Sequence, residues 1–265
     1  MGIGISRLFS STELPGLKLL PESFRHSGTH QRRFLLRANK VIEDYSGHRR
    51  RYARDRVESQ LQAAMKDQSK EIPGYAYGAD TVETSSVSLK ELQELKISVG
   101  LREDDERYLR IAGEVLGDQV KQIVEHWRSR IIASIPNLAR HTRSPAGDPL
   151  PEYLARSNQR FEQWILDTCL RPYDQTWLDY QQEIALRHTS SRKNRVDGVQ
   201  STGHVPLRDI IAFIPVMNET IKSYLAAKGH SPTDVDKMHL AWCKSLQLQI
   251  ALWTNTYPTR VPTEW

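Results

Sequence analysis

The sequence predicts an all-α protein. After Ser88, apolar residues recur at three- and four-residue spacing through most of the chain. Residues suited to helix starts and stops divide that pattern into segments, and no stretch alternates apolar with polar residues over a strand's length. The 265 residues are 38% hydrophobic and 26% charged, a balance typical of a soluble globular domain. No apolar run approaches about 18 residues, so no membrane-spanning helix is expected.

The elements follow in order. Ser88 with Glu91 has the form of a capping box, opening a short helix with Leu89, Leu92, Leu95 and Ile97. Glu103–Asp104–Asp105–Glu106 is an acidic first turn, favourable against a helix dipole. It begins a stripe of Leu109, Ala112, Leu116, Val120, Ile123, Val124, Trp127 and Ile131, with a bend expected at Gly117. Ser134–Ile135–Pro136 ends it, and Ser144–Pro145–Ala146–Gly147 makes the next turn. A helix from Pro151 carries Leu154, Phe161, Trp164, Ile165 and Thr168 on its apolar side, and Pro172 punctuates it. Tyr173–His188 forms the next, followed by a polar loop from Thr189 to about Gly203. Two long helices complete the pattern, from about Pro206 to Ala227 and from Ser231 or Pro232 to about Thr256. Gly229 suits a left-handed cap between them and Pro232 a first helical position.

Residues 1–64 read differently. They hold twelve of the Lys and Arg residues against six acids, whereas the remaining 201 residues are nearly neutral, with 25 bases and 26 acids. The basicity of the chain (net +5) therefore belongs to this extension, and the folded body has no footprint for nucleic acid. The extension is expected to be disordered apart from a helix over Asp55–Ala64. It reads either as a transit segment, which would direct the protein to mitochondria, or as residues upstream of a start at Met65. Otherwise a cytoplasmic setting is expected, with Cys169 and Cys243 as free thiols. The expected division is a basic extension 1–64, a helical domain 65–258 and a tail 259–265.

One residue stands out for chemistry. Ile184, Tyr180 and Trp177 precede His188 at helical spacing and form an apolar face, opposite Asp179, Gln182 and Glu183. His188 thus points inward at the end of its helix. Taken alone, this describes equally well a core histidine satisfied by a backbone carbonyl and a metal ligand.

A resemblance separates the two. From about Ile72 to Pro258 the chain resembles the protoglobins, single-domain globins related to globin-coupled sensors. The matching stretches are Ile72–Pro–Gly–Tyr–Ala–Tyr–Gly78, Ala112–Gly–Glu–Val–Leu–Gly–Asp–Gln–Val120, Arg160–Phe–Glu–Gln–Trp–Ile–Leu–Asp–Thr168, and the run from Tyr173 through Trp177 to His188. Ala212–Phe–Ile214, Lys228–Gly–His–Ser–Pro232 and Ala251–Leu–Trp253 follow. The resemblance implies a globin fold with an extra N-terminal helix, a haem b cofactor and His188 as the proximal iron ligand. It also implies that Phe161 and Trp127 contact the haem on the distal side. The segment Pro73–Gly78, with Tyr75, is implied to fold over the haem edge. Ser157, a turn before Phe161, faces the same side and is a candidate distal polar group.

The sequence departs from the family above the haem. Arg128 stands where a ligand-bonding tyrosine is common, one extra residue separates Trp127 from Pro136, and Ala139–Arg143 replaces an aromatic stretch. His141, in that stretch, is read either as a solvated loop residue or as a second axial ligand.

The function so implied is reversible binding of O₂, CO or NO, as a sensor or scavenger. The alternative is a haem enzyme of reactive nitrogen or oxygen chemistry, such as NO dioxygenation or peroxidase-like turnover, needing an external electron donor. A helical interaction module without haem is the third reading. A homodimer is expected from apolar residues on more than one face of the last two helices: Ile211, Phe213, Ile214 and Val216, then Leu246, Leu248, Ile250 and Leu252.

Overall fold

A computed structural model describes residues 72–257, which belong to one compact unit, Ser69–Trp265. The expectations for residues 1–64, including the helix over Asp55–Ala64, lie outside the described residues, as does the tail 259–265. The all-α expectation holds: eight α-helices and no strand occur among the described residues. They are α1 (Leu89–Ser98), α2 (Glu103–Leu116), α3 (Val120–Glu125), α4 (Pro136–Ala139), α5 (Pro151–Leu170), α6 (Gln175–Leu186), α7 (Leu207–Ala226) and α8 (Pro232–Trp253).

The local signals act as the residue types require. Ser88 Oγ accepts from the Glu91 N–H while Glu91 accepts from the Ser88 N–H, a complete capping box. Asp174 and Ser231 cap α6 and α8 more simply, each side chain accepting from the backbone N–H three residues on. Gly229 adopts a φ of 76° between the last two helices. The long stripe breaks at Gly117, as expected. After α3 the backbone widens into a π-helical turn over His126–Ile131. Such a turn absorbs an additional residue without ending the helix.

α8 is the central element. It packs on α2 and α7, and also meets α6, α5 and α1. Phe213, Ile214, Leu246, Leu248, Ile250 and Leu252 are all buried within this one chain. Core packing therefore accounts for most of the apolar residues on these two helices. Of the larger ones, Ile211 and Leu240 remain on the surface, 47% and 53% exposed.

Burial adds three details to this reading. Of the apolar residues of α1 only Leu92 is fully buried, while Leu89 and Ile97 face solvent, because this short helix has a neighbour on one side only. Glu183 is not on a solvated face: it is buried, held by Arg187 and Arg192. The polar stretch after residue 188 is the loop its composition predicts, yet parts of it are buried. It folds back through a left-handed Asn194 (φ 74°) and buries Thr189, Lys193 and Ser201.

α2 packs closely on the end of α5 at Gly113. A methyl group there would lie 2.5 Å from Leu170 Cδ2 and 3.0 Å from Cys169 Cβ. The lack of a side chain sets the helix separation. Gly113→Val is expected to destabilise the fold by about 1–3 kcal/mol through overpacking, read as a lower midpoint in urea unfolding at unchanged slope.

Candidate functional site

α5 and α6 are joined by Arg171–Asp174 alone, yet they barely touch each other. α5 packs instead on α2 and α3, and α6 on α8. The space left between them is closed by α7, the end of α8 and the 187–205 stretch. It has room for the centres of water-sized molecules over about 270 Å³. Ile132, Leu138, Phe161, Trp164, Ile184, Val205, Ile210, Phe213, Met217 and Trp253 supply its apolar lining.

His188 enters this cavity from the α6 side. It lies one residue beyond the C-cap Arg187, so the helix ends slightly earlier than the sequence pattern predicts. Its Nδ1 is 2.9 Å from the Ile184 carbonyl. A carbonyl only accepts, so Nδ1 carries the proton and Nε2 presents a lone pair. Nε2 has no hydrogen-bond partner among the described residues. The ring stacks on Trp253, with centroids 5.6 Å apart and planes 24° apart. Burial pushes the imidazole pKa down to about 4, against the weaker upward pull of the Ile184 hydrogen bond. The part of the ring surface that is not buried opens onto the cavity.

The other predicted residues divide. Phe161 and Ser157 line the cavity from α5. Trp127 does not line it: it stands behind Phe161, 5.3 Å between ring centroids, and donates to Thr220 Oγ1 at 2.8 Å. Tyr75 is likewise one layer back, donating to Asp167 Oδ2 at 2.6 Å and meeting Tyr180 edge to face. His141 does line the cavity and is only 6% exposed, which corrects the expectation of a solvated loop residue. Both its nitrogens are engaged, Nδ1 with Thr202 Oγ1 at 2.7 Å and Nε2 with Asp209 at 3.4 Å. In this conformation it has no lone pair to offer a metal.

Sequence reasoning missed the cationic rim. Arg160 on α5 donates to the Pro73 carbonyl at 2.6 Å, and Arg187 after α6 to the Gly74 carbonyl at 2.5 Å. The 73–74 segment thus bridges the two sides of the cavity edge. Gly74 itself has φ 76°, and an added Cβ would lie 2.7 Å from Val196. Adjacency could have flagged both arginines, which neighbour Phe161 and His188 in sequence. Nothing in the pattern marks Lys193, which is buried there with a pKa pushed down to about 8, chiefly by desolvation.

This donor set suits a flat apolar macrocycle with a metal that accepts one imidazole, and with carboxylates near cationic side chains. A haem meets that description. No cluster of three or more His, Cys, Asp or Glu suited to a metal ion occurs among the described residues. No helix among them is long and apolar enough to cross a membrane.

The family model for protoglobins matches residues 88–260, well over half of the chain. No curated protein matches it significantly.

The low pKa of His188 has a consequence for the protein without cofactor. The unfolded chain takes up this proton near pH 6.5 and the folded chain only near 4. The contribution of His188 is therefore intact above about pH 6.5, falls progressively below that, and is fully lost once pH has fallen through about 4. Its upper limit is about 3 kcal/mol. Urea unfolding of the apoprotein at pH 7.0 and 4.5 is expected to show a smaller stability loss in His188→Gln than in the parent.

Proposed function

The chain belongs to the protoglobin family, a family of haem-binding globins, and on that premise we propose that it binds haem b through His188 and reversibly takes up diatomic gases as a sensor or scavenger. The observation that carries this reading is the state of His188. Its Nδ1–H is committed to a backbone carbonyl, which leaves the Nε2 lone pair facing an apolar cavity. A metal-ligating imidazole would be held in the same way, its other ring nitrogen donating to a backbone carbonyl. When bound, the haem supplies an iron centre with an open position for O₂, CO or NO.

The chain's own residues then have separable tasks. Trp253 and the Ile184 carbonyl hold the imidazole in one orientation. Phe161, Trp164, Phe213 and Met217 exclude water. Arg160, Arg187 and Lys193 stand at the polar part of the cavity, where the two carboxylates of a haem would be neutralised. The segment with Tyr75 supports this edge from behind, through Tyr180 and the carbonyls of Pro73 and Gly74. Trp127 supports Phe161 rather than facing the cavity. Ser157 is the polar hydroxyl on the α5 side.

Haem reconstitution tests the reading. The parent is expected to bind one haem per chain with a Soret band that shifts on adding CO to the reduced protein. His188→Ala is expected to lose that signature, and external imidazole to restore it. An unchanged spectrum in the variant would refute the assignment. A homodimer is also proposed, in which the exposed Ile211 of α7 and Leu240 of α8 would become covered. Sedimentation equilibrium should show a dimer for the parent, with Ile211→Glu/Leu240→Glu shifted towards monomer.

A further inference from the structure

Four arginines line the cavity, and three of them have carboxylate partners. Arg160 pairs with Asp197 at 2.6 Å, Arg187 with Glu183 at 2.8 Å, and Arg192 with Glu183 and with Glu83 at 2.5 Å. The ammonium of Lys193 is met by three oxygens: the His141 carbonyl at 3.1 Å, Asn194 Oδ1 at 3.3 Å and Ser201 Oγ at 3.5 Å. Arg128 differs from all of these. Among the described residues its one hydrogen bond runs from Nη2 to Ser157 Oγ at 2.9 Å, and no carboxylate lies within ion-pairing distance. Its Nε is buried without a partner. The face of the Phe161 ring, 5.1 Å from the guanidinium carbon, is the remaining compensation.

A guanidinium does not escape such a position by giving up its proton. A charge held out of water with unused donors is stabilised only when an acceptor, preferably an anion, enters beside it. Ser157 adds to the same site. Its oxygen accepts from Arg128, so its own proton points elsewhere, and no described residue takes it. Two donors, one of them charged, therefore converge on the α5 side of the cavity, while His188 enters from the α6 side.

We propose that Arg128, with Ser157, makes this cavity a receptor for a small inorganic monoanion, bound between the guanidinium and the metal that His188 carries. This inference rests on the haem reading above. A ferric haem held by the neutral imidazole of His188 would carry a net positive charge, so an anion beside Arg128 would be attracted by both cations. A hydrogen-bonding anion such as fluoride gains most from that arrangement, because it has no other means of dispersing its charge. A neutral ligand such as imidazole gains nothing from it.

Visible absorption titrations of the ferric holoprotein with fluoride and with imidazole test the proposal. Arg128→Met is expected to weaken fluoride binding by about tenfold or more, leaving imidazole affinity the same or higher and haem content per chain unchanged. Ser157→Ala is expected to weaken fluoride in the same direction by a smaller factor. It decides the matter if Arg128→Met does not fold. Equal fluoride constants in parent and variants would overturn the anion site while leaving the haem reading intact. A folded Arg128→Met that loses haem would also overturn it, by showing that Arg128 neutralises a carboxylate of the haem itself. A parent that takes up no haem, or a His188→Ala spectrum identical to the parent's, would overturn both readings.

Discussion

The ion pair between Asp167 and Arg171, buried where α5 ends, is the interaction on which the cavity depends. Arg171 Nε donates to Asp167 Oδ1 at 3.0 Å, and Gln163 donates to the same oxygen at 2.9 Å. Tyr75 donates to the other oxygen at 2.6 Å. The Arg171 guanidinium also lies 4.1 Å from the centre of the Tyr77 ring. A buried pair of this kind contributes little net stability, but losing one partner strands the other. Its value here is in direction. It ties the last turn of α5 to the segment that precedes α1, and Tyr75 and Tyr77 in turn pack on Tyr180 of α6. α5 and α6 are thereby held at one end and left to separate at the other.

What fills the opening is governed by charge as much as by shape. Asp197 and Glu183 each serve two arginines, and both carboxylates are almost wholly removed from solvent. The rim is therefore a network in which positive charge exceeds negative, around a lining that is otherwise apolar. That combination is poor for a neutral hydrocarbon and good for a ligand with an apolar body and anionic margins. It also explains why the 187–205 stretch, polar in composition, is folded rather than solvated. Its Lys193, Asn194 and Ser201 bond to one another and to the His141 carbonyl, forming part of the cavity wall.

The helices were legible in the sequence because their signals are local. The reciprocal bonds of Ser88 and Glu91, Pro151 and Pro232 at first helical positions, and the break at Gly117 are each decided within a few residues. Periodicity also put His188 on an inward side. Depth was not legible. Phe161 and Trp127 both read as inward aromatics, yet one lines the cavity and the other stands behind it, a difference set by how α3 and α5 pack. His141 and Glu183 were misplaced for a related reason. A polar residue reads as exposed until the partners that make its burial tolerable are known, and Asp209, Arg187 and Arg192 are distant in sequence or sit on another turn.

The stacking of His188 on Trp253 reaches further than contact. An imidazole anchored only by its Nδ1 hydrogen bond could still swing about that bond. The indole face removes this freedom, and Trp253 is itself oriented by donating from Nε1 to Gln181 Oε1 at 3.0 Å. The azimuth of the imidazole plane is thus set by the last turn of α8 and by a glutamine on the same helix that delivers the histidine. The torsional stiffness of the ligand-bearing ring is a property of two helices locked together, and any shift of α8 along its axis would be transmitted to it as a rotation.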